Sequence, residues 1–314
     1  MTLTPETTTT LSAGLATYFD PKVLKTLEPK REHANLCTPK VVPENAGKTV
    51  SFLTYSRLSG STTALTEGTS PSSTAMTTTA TTATMSAWAA CSEIEDFVVG
   101  TVCDDVVANV QKRLAECGLN VIDLLIRNAI TAGSTKQYAS AAGALSAIDD
   151  SDNIDMGEIR LALRTMETAF ADPMSDGFFH CVIHPYQKYD LLAQTATGEW
   201  NDIHKYTEAS PLKTAELGTA YGVKFYGSSN VYTTTSGTSA SHTAYYAALA
   251  GRDGIASISL KRGGGQIQKF YKEPQFGVAD PGAQFHMAGI KIPFFVPKVI
   301  NASEVLSIVT GATV

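Results

Sequence analysis

His180, Cys181 and His184 put two imidazoles and a thiol within five residues, the side chains that hold zinc or pair a thiol nucleophile with its base. The surrounding FFHCVI reads as a buried strand, however, and a strand rises about 3.3 Å per residue. His180 and His184 then share a face about 13 Å apart, too far for one metal ion, and Cys181 points the other way. Glu158 and Glu167 could be paired carboxylates on one helix, but nine residues set them on poorly matched faces, so solvated roles are expected. The glycines of KRGGGQ at 261–266 precede a strand-like QIQKFY and lack the Lys-Ser/Thr ending and following helix of a phosphate loop; they read as a flexible turn. Arg252, Asp253 and Gly254 read as another turn between strands. No Ser-His-Asp arrangement carries a GxSxG elbow. Catalysis has no strong residue to stand on, and neither a cofactor nor a metal is expected.

Composition points to a packed protein that is neither disordered nor built to grip DNA. The 314 residues suffice for one large or two ordinary domains of about 150 residues. Hydrophobic residues make up 43 % of the chain, too many for a disordered tail. Charged residues are only 17 %, against a typical fraction of roughly 25 %, and 39 threonines fill the polar surface instead, concentrated in the N-terminal third. A net charge of -6 argues against phosphate gripping as the main task. The first residues lack the basic and apolar regions of a secretory signal. AGIKIPFFVPKVI, broken by two Lys and two Pro, falls short of the 18 or so residues of a membrane span. A soluble protein is expected. The five cysteines, Cys37, Cys91, Cys103, Cys117 and Cys181, are odd in number and show no CxxC spacing, as in a reducing compartment without structural disulfides or zinc.

The elements are legible from spacing. Residues 1–46 carry no sustained period and read as an arm. From Lys48, KTVSFLTYSRL alternates Val50 and Phe52 with Leu53 and Tyr55 on the opposite face, a strand with apolar contacts on both sides. Residues 59–86 are 28 in number, and 23 are Ser, Thr, Ala or Gly; their second half is β-prone because Thr is β-branched. Two strand-like arms around a flexible tip make a hairpin too poor in bulky side chains to hold itself together, since an isolated hairpin is at best marginal in water. No Lys or Arg occurs between Arg57 and Lys112, so the hairpin and its exit carry only acidic charge.

A long helix is predicted over 103–132, with Cys103, Val107, Val110, Leu114, Cys117, Val121 and Leu124 in one stripe, a capping pair at Thr101 and Asp104, Gly118 in its interior and Gly133 as a left-handed C-terminal residue. Its further apolar residues favour packing on a sheet over a coiled coil. A second helix starts at Asp155 with Glu158 as capping partner, buries Ile159, Leu163, Met166 and Phe170, and stops before Pro173. Pro185 opens a short helix, and strand signals follow to the C-terminus. A hairpin, a long helix, then mixed helices and strands is the order of an α+β protein.

This order of pieces resembles the major capsid proteins of tailed bacteriophages, which share the Johnson fold, and within them the coat proteins of N4-like phages. The residues that carry the resemblance are YFDPKVLKTLEP at 18–29, GKTVSFLTYSRL with ALTEG at 64–68, IHPYQKYDL at 183–191 and DPGAQFHMAGIKIPFFVPKVIN at 280–301. The Thr tract after Pro71 and the small, nonaromatic hairpin tip depart from the pattern. The resemblance implies an N-terminal arm (1–46), an E-loop hairpin (47–90), a peripheral domain with a spine helix (91–152), an axial domain (153–262), a return to the peripheral domain (263–296) and a C-terminal strand segment (297–314).

It also implies a structural virion protein, not an enzyme, that assembles in the host cytoplasm as hexamers and pentamers into an icosahedral shell around double-stranded DNA. The implied partners are further copies of the chain, a portal, a separate scaffolding protein (the arm is too short to contain one) and a decoration protein, with weak contacts to packaged DNA and none to membrane. Some relatives lock their shells by isopeptide bonds from an E-loop Lys; with no Lys from 58 to 111, that chemistry cannot start from the tip. The expected contacts between subunits are Tyr18, Phe19, Phe52, Tyr55, Leu58, Leu65, Glu67, Met76, Met85 and Trp88. The competing readings are a tail or decoration protein, against which the long apolar helix speaks, and a small hydrolase using Cys181 and His184.

Overall fold

The computed structural model describes residues 29–60, 62–71, 73–102, 104–196, 199, 218–236, 242–261, 264–277 and 280–313. A 3-10 turn (His33–Leu36) is followed by β1 (Thr38–Val42), β2 (Thr49–Tyr55), β3 (Thr78–Thr84), β4 (Ser86–Glu95), α1 (Asp96–Thr101), α2 (Val106–Gly133) and β5 (Thr135–Tyr138). Then come α3 (Met156–Thr168), β6 (Phe179–Ile183), α4 (Pro185–Ala193), β7 (Thr219–Ala220), β8 (Val223–Gly227), β9 (Thr233–Ser236) and β10 (His242–Ala250). β11 (Ile255–Leu260), β12 (Gln268–Lys272), β13 (Phe285–Val299) and β14 (Val305–Thr310) complete the order.

Two sheets share α2. The first is built on β13, whose fifteen residues pair antiparallel with β4, β11 and β12, while β1 joins β11 in parallel at the edge. The second runs β5-β14-β10-β6-β8-β7, with β9 beside β10. β2 and β3 form a separate two-stranded sheet. β11 lies within the span expected for the axial domain, yet it belongs to the first sheet; β14, near the C-terminus, is central to the second.

The second sheet's core packs Ile159 and Met166 of α3 and Leu191 of α4 against Ile183, Leu249 and Ile308. A seam joins α2 to both sheets, with Ile126 and Ile130 set among Val182, Ile292, Phe295 and Val299. α2 spans about 42 Å at 1.5 Å per residue, and no helix among the described residues is long and apolar enough to cross a membrane.

The expected helices are present, with informative shifts. Asp155 caps α3, its carboxylate accepting the Glu158 amide at 2.6 Å. Pro185 occupies the first turn of α4, and His184 and Gln187 form its capping box. α2 begins at Val106, where Asp105 accepts the Ala108 amide; Thr101 instead ends α1, its hydroxyl donating to the Phe97 carbonyl. Cys103 lies outside the described residues.

Two glycines in α2 mark close approach. A Cβ on Gly118 would stand 2.7 Å from Ile290 Cδ1, and one on Gly133 would stand 2.8 Å from both Cβ and Cγ2 of Val299. Gly133 is thus the last helical residue and is required by packing; it does not supply a left-handed turn. Phe170, expected on the buried face of α3, lies beyond the helix at φ 60° and is exposed.

The predicted stripe of α2 is the larger correction. Its residues Val107, Val110, Leu114, Val121 and Leu124 are only half-buried and Cys117 is exposed, whereas the sheet-facing side carries Gly118, Ile126 and Ile130. A heptad count found an apolar face that reaches the seam with the sheets at Val121 but is not the most buried one, because α2 has apolar residues on more than one side.

Candidate assembly interface

The hairpin pairs Thr49 with Thr84 through Tyr55 with Thr78, and the two Thr49 and Thr84 hydroxyls lie 3.1 Å apart. Beyond the strands, the Ser56 amide donates to the Thr77 carbonyl at 2.8 Å and the Thr77 amide to the Ser56 hydroxyl at 2.9 Å. The tip, from Ser59 to Thr74, encloses a hollow of about 650 Å³ beside Leu65.

The hairpin base is rooted in its own subunit. Ala83 and Met85 are buried with Ala256 and Ile258, and Val50, Phe52, Val42 and Leu260 pack around them. Met85, at 2 % exposure, therefore has no side-chain surface to present to another copy and is corrected as a contact candidate, while Phe52 is half-covered by its own chain and keeps part of its side chain accessible. Tyr55, Leu58, Leu65, Glu67 and Met76 stand exposed on the hairpin or its tip, and Trp88 on β4 is 42 % exposed. Leu53, which the alternation placed opposite Phe52, is equally bare at 61 %. Arg57 stacks over the Phe170 ring at 4.5 Å, a second tie of the hairpin to its own subunit. Tyr18 and Phe19 lie outside the described residues.

The end of the arm is not loose. His33 is 1 % exposed, its amide donates to Asp123 Oδ1 at 3.0 Å and its Nδ1 lies 3.0 Å from Asp123 Oδ2. Asn230 donates to the same carboxylate at 2.9 Å and to Asn120 Oδ1 at 2.8 Å. Burial alone would push the Asp123 carboxyl up, but the hydrogen bonds and charge of His33 and the bond from Asn230 outweigh it and hold the group below its ordinary value. β1 then adds to the first sheet, so residues 29–42 pack on their own subunit although no local period announced a strand.

The chemistry-bearing residues are engaged in holding segments together. His180 Nδ1 lies 2.8 Å from the Asn35 carbonyl and its Nε2 lies 2.9 Å from Asp176, beside Lys224. Hydrogen bonding to His180 leads the effects that hold the Asp176 carboxyl below its ordinary value. Cys181 is fully enclosed, and burial pushes its thiol up to about 12, so no thiolate nucleophile forms at neutral pH. His184 caps α4 by accepting the Tyr186 amide, and burial lowers its imidazole. Glu158, expected to be solvated, accepts from Gln137 and the Ser140 amide. Among the described residues no group of three His, Cys, Asp or Glu side chains could hold a metal ion.

Sequence reasoning missed the His33–Asp123 pair and the chain Tyr271–His286–Asp96, in which the phenol oxygen lies 2.6 Å from His286 Nδ1 and His286 Nε2 lies 2.9 Å from Asp96. Their partners are 90 and 190 residues apart, and no local pattern signals such pairs.

No protein-family model matches this sequence, and no curated protein matches it. Solved structures do match over nearly the whole chain. They include the capsid of Ralstonia phage GP4 (16 % identity, TM-score 0.73, 95 % of each chain). The cyanophage Pam1 capsid asymmetric unit matches at 14 % identity and TM-score 0.71, over 96 % of this chain and 98 % of that one. A structure of Mycobacterium phage Che8 matches at 14 % identity and TM-score 0.67, over 94 % and 96 %. The fold is therefore that of the tailed-phage capsid proteins, the Johnson fold.

Proposed function

We propose that the chain is the major capsid protein of a tailed bacteriophage, and that it belongs with the coat proteins of N4-like phages. In this reading it assembles in the host cytoplasm as hexamers and pentamers that close an icosahedral shell around double-stranded DNA. The observation that carries the proposal is the likeness to solved phage capsids over 95 % or more of the chain. The hairpin supports it independently. Leu53, Tyr55, Leu58, Leu65 and Met76 are exposed on an element with little core of its own, and covering each such side chain is worth roughly 1.5–3 kcal/mol. A symmetric closed assembly supplies that cover by laying each hairpin on a sister subunit.

The contacts are noncovalent, because the hairpin has no Lys beyond position 57. The acidic balance of the chain suits a wall from which packaged DNA slides freely. A portal, a separate scaffolding protein and a decoration protein are the remaining partners of this reading. The test is electron microscopy of the chain expressed alone and with a scaffolding protein. Closed shells of uniform size support the proposal; a product that stays monomeric or forms tubes or fibres under both conditions contradicts it.

A further inference from the structure

Two open edges of the first sheet complement each other. Residues 287–291 of β13 pair with β4 on one side and with β12 on the other, so the sheet is three strands wide there. Among the described residues β4 and β12 pair with no other strand, and the outer edge of each is open to a further ladder. β1, at a third edge, is guarded by Pro39 and Lys40. β4 has no such guard. Its ten residues contain neither Pro nor Lys, and a long bare edge of this kind invites strand addition.

The two edges carry opposite charge. β4 ends in Glu93 and Glu95, and the Asp96 that follows is already held by His286. β12 carries Lys269 and Lys272 with all five of its residues exposed, and the nearest acid in sequence, Glu273, lies just past its end. Among the described residues neither Glu93 nor Lys272 has an ion-pair partner.

The pleat sets the charges on one face. Residues level with one another across paired strands share a face. Here Glu93, Met287 and Lys272 form one row, and Cys91, Gly289 and Phe270 the next row on the same face. The Phe270 ring lies over Gly289, where a Cβ would stand 2.1 Å from Phe270 Cζ. With strands about 4.8 Å apart, Glu93 and Lys272 of one subunit are separated by about 10 Å at Cα, whereas a copy set beside β4 brings its Lys272 to about 5 Å.

We propose that β12 of a second copy pairs in parallel with the outer edge of β4, with Lys272 level with Glu93, so that the first sheet runs on from one copy into the next. Both strands are antiparallel to β13, and a copy in the same orientation therefore adds its β12 parallel to β4. The contact is head to tail, the kind that closes a ring when the rotation between copies permits. Two β12 edges together would set lysine against lysine, and two β4 edges glutamate against glutamate, so charge selects the mixed pair. The inference rests on the shell reading for its partner and names a contact that reading leaves open.

The test uses the full chain carrying Glu93→Cys and Lys272→Cys together in a Cys91→Ala background, oxidised by copper phenanthroline and air. Within one subunit the two Cα atoms stand beyond the roughly 7 Å that a disulfide bridges, so a bond between them reports a contact between copies. The expected result is disulfide-linked dimers and higher multimers on a non-reducing gel, at about tenfold the yield of either single-cysteine variant. A yield no higher than that of the single variants overturns the inference. Charge reversal gives a second readout with the native cysteines in place: Lys272→Glu weakens association of the copies several-fold in light scattering, and adding Glu93→Lys restores it. A double variant no better than Lys272→Glu counts against the contact. Electron microscopy of the same samples separates this inference from the shell reading. Closed shells without the cross-link overturn the contact and leave the shell reading standing, while cross-linked strips or fibres without shells support the contact and contradict the shell reading.

Discussion

The β10–β14 pair and the β2–β3 hairpin use the same antiparallel hydrogen bonding, yet they stand at opposite ends of the range of burial. All six residues of β14 are buried and so are the last seven of β10, whereas β2 and β3 together contain one buried residue, Ala83. Backbone pairing differs too, since β10 and β14 each pair on both sides within the second sheet while β2 and β3 pair only with each other. The larger difference is the cover. α3 and α4 close one face of the second sheet and α2 lies against the other, while the hairpin beyond Phe52 has solvent on both faces. A two-stranded ribbon in that condition is marginal by itself, and the proposed shell is what would complete it.

This contrast is sharpened first where the effect should be largest. Leu249→Ala, near the C-terminal end of β10, removes a fully enclosed side chain and should cost the subunit about 2–5 kcal/mol in urea unfolding. Leu65→Ala at the tip should shift the same midpoint within about 0.5 kcal/mol and yet lower the yield of closed shells. A similar loss of subunit stability for both variants would erase the distinction between the two regions.

Asp123→Asn probes the root that ties residues 29–42 to α2. It leaves His33 buried without its carboxylate and should cost about 3 kcal/mol, with faster hydrogen exchange confined at first to residues 30–42. The pH dependence follows from the sign of the shift. The Asp123 carboxyl titrates lower in the folded chain than in the unfolded one, so its contribution is complete above the unfolded value near 3.9 and is lost as pH falls through the folded value. The stability gap between wild type and Asp123→Asn should therefore hold from pH 7 to about 5 and narrow below pH 4. A gap that widens in acid would show that the carboxylate is not the stabilising form.

Gly133→Ala should cost about 1–3 kcal/mol, because Cβ would press on the branched Cβ of Val299 and force the end of α2 off the first sheet. Gly118→Ala should cost less, since the atom it meets first is the movable tip of Ile290. Equal effects from the two substitutions would mean that helix propensity, not packing, governs both sites.

Much of the fold could be read locally. The alternation around Val50 and Phe52, the cap at Asp155 and the proline opening α4 each depend on neighbours within a few positions, and each appears where expected. β1 escaped notice because TPKVV is short, contains Pro39 and owes its strand state to a parallel partner more than 200 residues away. The stripe on α2, of which Val121 reaches the core seam while Cys117 is exposed, has the same origin: a helix with two apolar faces does not say which one its own sheet will take. The hairpin was partly legible. A stretch of small residues with no cation marked it as poor in core of its own, but the burial of Met85 comes from Ala256 and Ile258, far along the chain, and had no local signal.

The central claim is that the hairpin past Phe52 is completed by a sister subunit, and hydrogen exchange measured on free subunits and on closed shells tests it most directly. Amides 53–55 and 78–82 should exchange at least a hundredfold more slowly in the shell than in the free subunit, while β10 and β14 change little. Equal protection of the hairpin in both states would contradict the account.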